Sequence, residues 1–117
     1  MDITTKIKTI VQTLDSKKAK DIKVIGVGDL TIIADYFIIA SGTSSTQVKA
    51  LADEVEFALK QNDELTSRIE GYQGANWIVL DYSDIVVHVF HTETRNFYSL
   101  ERLWQDGEQI DIQKYLK

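Results

Sequence analysis

The chain has 117 residues, of which 44% are apolar and 26% are charged. This length and composition are typical of a single folded domain with its own hydrophobic core, and they exclude a disordered protein. The sequence contains no cysteine, which excludes disulfides and thiolate chemistry and favours a reducing compartment. No apolar run approaches the roughly 18–20 residues that span a bilayer, and the N-terminus resembles neither a signal nor a transit peptide, so we expect a cytoplasmic protein.

The charges are distributed unevenly along the chain. Residues 1–23 carry six Lys against three acids, a surplus of three positive charges, whereas residues 24–117 carry seven bases against fifteen acids. Duplex nucleic acid is bound by neutralising its phosphates, so this acidic body argues against direct DNA binding and favours a basic protein as partner. An acidic surface that only maintains solubility would have the same composition.

Two helices are predicted in the first half of the chain. The first covers a segment in which aliphatic residues recur at helical spacing: Ile3, Ile7, Ile10, Val11 and Leu14. The second follows Ser44, which forms an S-x-x-Q capping box with Gln47, and it is expected to run to about Gln61.

Strand candidates lie on both sides of the second helix. KVIGVGD at 23–29 is typical of a short strand broken by glycines, and YFIIA at 36–40 is apolar on both sides, as an interior strand is. ELTSRIEG at 64–71 is a weaker candidate, and WIVLD at 77–81 and DIVVHVF at 84–90 predict a hairpin. This order of elements predicts a single α/β domain whose mixed sheet has about five strands with helical cover.

The predicted hairpin separates its side chains onto two faces. With Tyr82 and Ser83 as a two-residue loop, Trp77 lies opposite His88. One side, which we call the aliphatic face, is expected to lie under the helices and carries Ile78, Leu80, Ile85, Val87 and Val89. The other side, which we call the aromatic face, is expected to meet a partner or a looser cover and carries Trp77, Val79, Val86, His88 and Phe90, with Asp81 and Asp84 at its turn.

The C-terminal part of the chain has a weaker pattern. ETRNFYSLERLW at 93–104 predicts one or two helical turns, and we expect Trp104 in the core. The apolar residues at helical spacing in this stretch are Phe97, Leu100 and Trp104. Residues 107–117 are expected to form a polar C-terminal tail of the domain 1–117, in which four residues can fold back: Ile110, Ile112, Tyr115 and Leu116.

The residues form no catalytic or cofactor-binding pattern. His88 and His91 point to opposite faces of a strand, and the acids form no D-x-D or H-x-x-E cluster, so we expect no metal site. GTSS at 42–45 could hold an anion on free N–H groups, although Ser44 as a helix cap explains these residues more economically. The Gly-Val-Gly segment at 26–28 lacks the third glycine of a dinucleotide fingerprint. We therefore expect no cofactor and favour a binding or regulatory domain over an enzyme.

Four segments of the chain resemble one known family in order and spacing. LDSKKAKDI, ADYFIIASGTSSTQVKALADEV, NWIVLDYSDIVVHVF and RNFYSLERLW are similar to the ribosomal silencing factor family, also called Iojap-like, over roughly residues 1–106. The sequence departs from the family at Ser83, where glycine is usual. The resemblance implies an α/β fold related to nucleotidyltransferases but without their catalytic residues.

The resemblance also implies a function. Members of this family bind ribosomal protein fourteen of the large ribosomal subunit, at the face that meets the small subunit. The bound factor blocks joining of the two subunits and so represses translation when nutrients are scarce. For this chain, that implies a translation repressor whose partner is a basic protein within the ribosome.

We expect the aromatic face and its turn to bind this partner, with Trp77 as the energetic hot spot. The predicted partner-binding residues are Trp77, Val79, Tyr82, Asp84, His88 and Phe90. Two alternatives remain. The chain could be a nucleotide-binding or nucleotidyltransferase-like enzyme, against which the missing pair of metal-binding acids argues. It could also be a homodimerisation module that buries the Trp77 face against a second copy.

Overall fold

The computed structural model describes residues 1–116 as one α/β domain built on a mixed sheet. The helices are α1 (Ile3–Ser16), α2 (Ser45–Lys60), α3 (Thr92–Tyr98), α4 (Leu100–Leu103) and α5 (Gln113–Leu116). The strands are β1 (Lys20–Gly26), β2 (Tyr36–Gly42), β3 (Arg68–Glu70), β4 (Trp77–Asp81), β5 (Ile85–His91) and β6 (Glu108–Ile110). Within this part of the chain, no helix is both long and apolar enough to cross a membrane.

The six strands form one sheet in the order β3-β4-β5-β2-β1-β6. The central pair, β2 and β5, is parallel, and the other neighbouring strands are antiparallel. The predicted α/β domain with a mixed sheet is confirmed, but the sheet has one strand more than expected. Residues 108–110, which we predicted as part of a polar tail, pair with the otherwise open edge of β1. Their strand structure therefore depends on this partner strand and not on a local pattern.

The two long helices begin where the sequence predicts. Asp2 caps α1 by accepting a hydrogen bond from the N–H of Thr5 at 2.7 Å. Ser44 caps α2 by accepting from the N–H of Gln47 at 3.1 Å, and the Gln47 side chain accepts in return from the N–H of Thr43 at 2.7 Å. The second half of the capping box thus reaches one residue further back than the usual pattern.

The main hydrophobic core lies between the aliphatic face and the helices α1, α2 and α5. All five predicted residues of the aliphatic face are buried there: Ile78, Leu80, Ile85, Val87 and Val89. The apolar side of α1 packs against them as predicted, and Tyr115 of α5 is also buried in this core. The C-terminal segment therefore folds back onto the domain, which confirms that expectation.

The register of the β4–β5 hairpin differs from the prediction. Trp77 pairs with Phe90 instead of His88, and every other pair is displaced by the same two residues. Because side chains alternate with a period of two, a displacement of two leaves each side chain on its predicted face. The division into an aliphatic and an aromatic face is thus unaffected.

The cause of this displacement is the loop of the hairpin. Tyr82 pairs with Ile85, since its N–H donates to the Ile85 carbonyl at 2.9 Å, so the loop consists of Ser83 and Asp84. Ser83 adopts a left-handed backbone conformation with φ of 73°, and the N–H of Asp84 donates to the Tyr82 carbonyl at 2.9 Å. We predicted the loop one residue too early.

The helical stretch after β5 is broken at Ser99. This residue has a φ of 50° and separates α3 from α4, so the apolar residues do not lie on one continuous helical side. Leu100 is buried, whereas Phe97 is 80% exposed. Trp104 is half-buried and meets the ring of Phe37 edge-on, with the ring centroids 5.1 Å apart. Trp104 therefore borders the smaller core on the aromatic face and is not fully enclosed.

Candidate partner-binding surface

The aromatic face is only partly open to solvent. β4 contributes Trp77 and Val79, which are half-buried, whereas β5 contributes His88 and Phe90, which are 7% and 0% exposed. His88 and Phe90, both predicted to contact a partner, are therefore almost fully enclosed in this structure. They lie beneath the more exposed side chains of this face, and the ring of Trp77 stacks on that of Phe90 with the centroids 4.8 Å apart. The helices α3 and α4 and the segment 27–35 cover the rest of this face.

His88 supports the Trp77 indole from below. Nε1 of Trp77 donates a hydrogen bond to Nδ1 of His88 at 3.1 Å, so the imidazole is neutral and carries its proton on Nε2. Nε2 is buried and meets no hydrogen-bond partner among residues 1–116. Burial lowers the pKa of His88 to about 4, because a charged ring would be poorly solvated there. His88 is thus a support for Trp77 and is poorly placed to act as a general base.

A cleft of about 500 Å³ opens beside Trp77, between the β3–β4 connection and α3. Phe97 and Tyr98 of α3 line it, and they are 80% and 54% exposed. The ring of Tyr98 lies 5.3 Å from that of Trp77, so the three aromatic side chains form one patch. We did not predict Phe97 or Tyr98 as surface residues, because no local pattern marks the helix break at Ser99 that turns them outward.

Acidic side chains surround the open part of the aromatic face. The register of β3 against β4 places Arg68 and Glu70 on the same face as Val79 and Asp81. Arg68 lies 3.3 Å from Glu70 and 3.8 Å from Asp81, and all three are solvent-accessible. Glu93 adds a further carboxylate to the wall of the cleft. This edge of the molecule therefore carries an excess of negative charge, with one arginine among three acids.

The turn of the hairpin has a structural role. Nζ of Lys6 donates to both carboxylate oxygens of Asp84 at 2.9 Å, and it lies 3.3 Å from Glu64. The pKa of Lys6 is raised, because these hydrogen bonds outweigh the opposing effect of its burial. Asp84 therefore ties the hairpin to α1, and a partner would have to compete with Lys6 for its carboxylate.

Tyr82 and Asp81 differ in their accessibility at this turn. Tyr82 is buried in the core under the helices, and burial raises the pKa of its phenol. The ring of Tyr82, which we predicted to contact a partner, lies in this core and points away from the aromatic face. Asp81 accepts a hydrogen bond from the N–H of Ser83 at 2.8 Å, which stabilises the turn as aspartates beside tight turns commonly do.

The remaining candidate groups have structural uses. His91 is half-buried and caps α3, since its Nδ1 accepts from the N–H of Glu93 at 3.3 Å. In the GTSS segment, the N–H of Thr43 is taken by Gln47, as the capping of α2 requires. β1 spans Lys20–Gly26, so it begins three residues before the predicted segment 23–29 and ends at the first of its two glycines. No group of three or more His, Cys, Asp or Glu residues within 1–116 is arranged to hold a metal ion.

Comparison with known proteins identifies the family. The sequence profile described as "Ribosomal silencing factor during starvation" matches residues 1–117. The chain belongs to the ribosomal silencing factor family. It is 37% identical over 106 residues to the ribosomal silencing factor RsfS of Bacillus subtilis, which covers 91% of this chain and 90% of that one. It is 41% identical over 105 residues to the RsfS of Zymomonas mobilis, which covers 90% of this chain and 79% of that one.

A solved structure from this family has the same fold. The crystal structure of a protein from Chromobacterium violaceum superposes with a TM-score of 0.87 at 34% sequence identity, covering 95% of this chain and 92% of that one. The predicted membership of the ribosomal silencing factor family is therefore confirmed, and the mixed sheet with its helices is an arrangement shared with a relative.

Proposed function

We propose that this chain binds ribosomal protein fourteen of the large ribosomal subunit and prevents the small subunit from joining. Membership of a family whose bacterial relatives are named ribosomal silencing factors supports this function. The observation that carries the proposal is the partly exposed aromatic patch of Trp77, Phe97 and Tyr98, bordered by acidic side chains. Large aromatic residues at a rim of charge are typical of protein-binding hot spots.

The aromatic patch can bind with little loss of conformational entropy. The Trp77 indole rests on Phe90 and is hydrogen-bonded to His88, so its orientation is set before a partner arrives. Ordering a free side chain on binding costs about 0.5–1.5 kcal/mol, and a preorganised ring avoids most of that cost. In this proposal Trp77, Val79, Phe97 and Tyr98 touch the partner, while His88 and Phe90 act by supporting Trp77.

Electrostatics favours a basic partner. Glu70, Asp81 and Glu93 leave the open part of the aromatic face negatively charged, and ribosomal proteins are typically basic. Complementary charge mainly accelerates association, and salt screens it over about 8–10 Å at ordinary ionic strength. We expect the association rate to fall several-fold between 50 and 300 mM salt, on the order expected for a few charge pairs.

The proposed mechanism is steric and needs no turnover. The domain measures 32 × 31 × 28 Å, which is far thicker than a layer of solvent between two docked subunits. A domain of this size, bound at the face that meets the small subunit, would hold the subunits apart. Repression would then depend on occupancy and would be reversed by dissociation.

Subunit joining tests this function. Purified large and small subunits are mixed with the chain, and the joined ribosomes are resolved on a sucrose gradient. We expect the wild-type chain to deplete the joined peak. Trp77→Ala should weaken binding by about 2 kcal/mol or more, roughly thirtyfold, because a central aromatic anchor is lost. Undiminished joining at saturating wild-type protein would refute the proposal.

A control variant tests whether the effect of Trp77→Ala depends on the aromatic face or would follow from the loss of any exposed aromatic side chain. Phe57 on α2 is 61% exposed, and α2 packs on the opposite, aliphatic side of the sheet. Phe57→Ala should therefore leave the block of joining unchanged. Binding to isolated ribosomal protein fourteen, measured with the same two variants, tests whether that protein is the direct partner.

A further inference from the structure

A second cleft, of about 580 Å³, lies on the other side of α3 from the aromatic patch. Every side chain that lines it is polar or charged, in contrast to the cleft beside Trp77 with its three aromatic rings. Its size falls within the range of about 300–1,000 Å³ that is usual for small-molecule sites. A wall of this composition suits a small hydrophilic ligand and not an apolar one.

The position of this polar cleft in the sheet is one where ligands commonly bind. β2 and β5 are neighbouring parallel strands, and Ser41 and Thr92 at their carboxyl ends line the cleft. The chain leaves β2 into α2 on the aliphatic side, whereas it leaves β5 into α3 on the aromatic side. Connections that diverge to opposite faces open a crevice at the carboxyl ends of the strands, and ligands of α/β proteins bind in such crevices.

A buried arginine forms the base of the polar cleft. Arg95 is 5% exposed and donates to Ser41 Oγ at 2.8 Å and to the carboxylate of Glu101 at 2.7 Å. These bonds join α3, α4 and β2 and neutralise Glu101. The carboxylate that would otherwise repel an anion is therefore already paired.

Two further cations line the polar cleft without an ion pair. Lys23 of β1 and Arg102 of α4 are exposed, and neither forms a salt bridge in the part of the chain that the structure describes. Asp21 is the remaining acid of the lining. In a protein of net charge −5, the walls of this cleft carry three cations against two acids, with one of those acids held by Arg95.

Neutral donors complete the polar cleft. Asn96, Gln105 and Gln109 line it, and within residues 1–116 their carboxamides make no hydrogen bond to the protein. Carboxamides can both donate to and accept from the hydroxyls or ring nitrogens of a ligand. Two lining residues, Asp21 and Ser99, have left-handed φ angles of 48° and 50°, a strained backbone conformation that is concentrated at ligand sites.

We propose that the polar cleft is a binding site for a small metabolite that carries a phosphate group. Lys23 and Arg102 would pair with the phosphate, and the three carboxamides would bind the polar remainder of the molecule. The site is separate from the aromatic patch, so the proposal does not depend on the proposed function. Nucleotides and sugar phosphates share this chemistry, and the experiment distinguishes them.

The test is a titration of the full chain by calorimetry, supported by thermal unfolding. The probes are inorganic phosphate, AMP, ADP, GTP and ribose 5-phosphate, each up to 5 mM. We expect at least one organic phosphate to bind and to raise Tm, and inorganic phosphate to bind at least tenfold more weakly because it leaves the carboxamides unused. A nucleotide-only response identifies a nucleotide site, and an equal response to ribose 5-phosphate identifies a sugar-phosphate site.

Matched variants test whether the signal comes from the polar cleft. The double variant Lys23→Gln, Arg102→Gln removes the unpaired cations at exposed positions, so it should fold, and it should weaken binding roughly tenfold or more. The control variant Lys8→Gln, Lys60→Gln removes the same charge from exposed helical positions outside the cleft and should bind as the wild type does.

Three outcomes would overturn the proposal. The first is no heat and no Tm change with any organic phosphate at 5 mM. The second is equal binding by the two double variants, which would indicate unspecific attraction to lysine and arginine. The third is binding of a short single-stranded RNA, lost in the Lys23→Gln, Arg102→Gln variant, together with no binding of the small phosphates; that result would assign the cations to RNA.

Discussion

The two faces of the sheet are covered in different ways. The aliphatic face lies under α1 and α2, which have 14 and 16 residues, together with the C-terminal helix α5. The aromatic face is covered by α3 and α4, of 7 and 4 residues, and by the segment 27–35. The long amphipathic helices bury all five aliphatic residues of the hairpin, whereas the short helices leave Trp77, Val79 and Trp104 half-buried on the other side.

This difference separates stability from recognition within one sheet. Fully buried aliphatic side chains contribute about 1.5–3 kcal/mol each by leaving water. Half-buried aromatic side chains contribute less to folding, but they retain apolar area that a partner can still remove from water. We therefore expect mutations on the aliphatic face to affect mainly unfolding, and mutations on the open part of the aromatic face to affect mainly binding.

The sharpest test compares two neighbouring residues of β4. Leu80→Ala on the aliphatic face should lower the free energy of unfolding by about 2–5 kcal/mol, because the side chain is fully buried and leaves a cavity. Val79→Ala, one residue away on the aromatic face, should lower the free energy of unfolding by only about 1 kcal/mol, because this side chain is half-buried. Urea denaturation measures both, and equal losses would show that the two faces are equally packed.

The second prediction uses the buried histidine of the aromatic face. His88 is neutral in the folded chain with a pKa of about 4, whereas the unfolded chain protonates it near pH 6.5. The stability that it confers is complete above pH 6.5 and is lost as the pH falls towards 4, by up to about 3 kcal/mol. His88→Asn keeps an acceptor near Nδ1 and does not titrate.

Urea denaturation of both proteins between pH 7 and pH 4 checks this prediction. The stability difference between the wild type and His88→Asn should change in favour of the variant as the pH falls. A constant difference would mean that His88 protonates equally in the folded chain, and so that water reaches this part of the aromatic face.

The third prediction concerns the link between the helical side and the hairpin. Lys6→Met should lower the free energy of unfolding by about 1–2 kcal/mol, since Asp84 and Glu64 are partly exposed and keep some solvation. Because the pKa of Lys6 is raised in the folded chain, its contribution is complete at neutral pH and is lost only above about pH 10.

A double-mutant cycle of Lys6→Met with Asp84→Asn measures this link. Its coupling energy should be favourable but smaller than the loss in the Lys6→Met variant, because Lys6 also pairs with Glu64 and an asparagine still accepts a hydrogen bond. A coupling energy near zero would show that the hairpin holds its position without α1.

The smallest expected effect is at the loop of the hairpin. Ser83 has a φ of 73°, and a glycine adopts that conformation without the steric cost that a side chain brings. Ser83→Gly should raise the free energy of unfolding by about 0.5 kcal/mol, and Ser83→Ala should lower it by a similar amount. A loss of stability in the glycine variant would show that the contact of Ser83 Oγ with Ser67 Oγ, at 3.1 Å, outweighs the backbone strain.

Much of the fold was predictable because its determinants are local. The periodic spacing of Ile7, Ile10 and Leu14 predicts α1, and the capping box at Ser44 predicts the start of α2. The alternation of side chains in β4 and β5 predicts both faces of the hairpin, even though the predicted loop was one residue early. That error does not change the faces, because side chains alternate along a strand and the pairing is displaced by two residues.

The candidate surface was less predictable, because burial depends on distant parts of the chain. Trp77 was identified from its place on the aromatic face, but Phe97 and Tyr98 were missed, since they become surface residues only through the break at Ser99. His88 was placed on the correct face, but its burial was not predicted. Its burial and its bond to Trp77 require the register of two strands and the cover of α3 and α4.

By itself, the sequence determined the family, the two long helices, the central strands and the side of the sheet on which each hairpin residue lies. These features follow from short-range periodicity and capping, which neighbouring residues encode. Only the tertiary structure decided that residues 108–110 become a strand and that Asp84 is paired with Lys6. It also decided that Trp77 is half-buried and hydrogen-bonded to a buried His88. These outcomes depend on contacts between residues far apart in the chain, which local patterns do not specify.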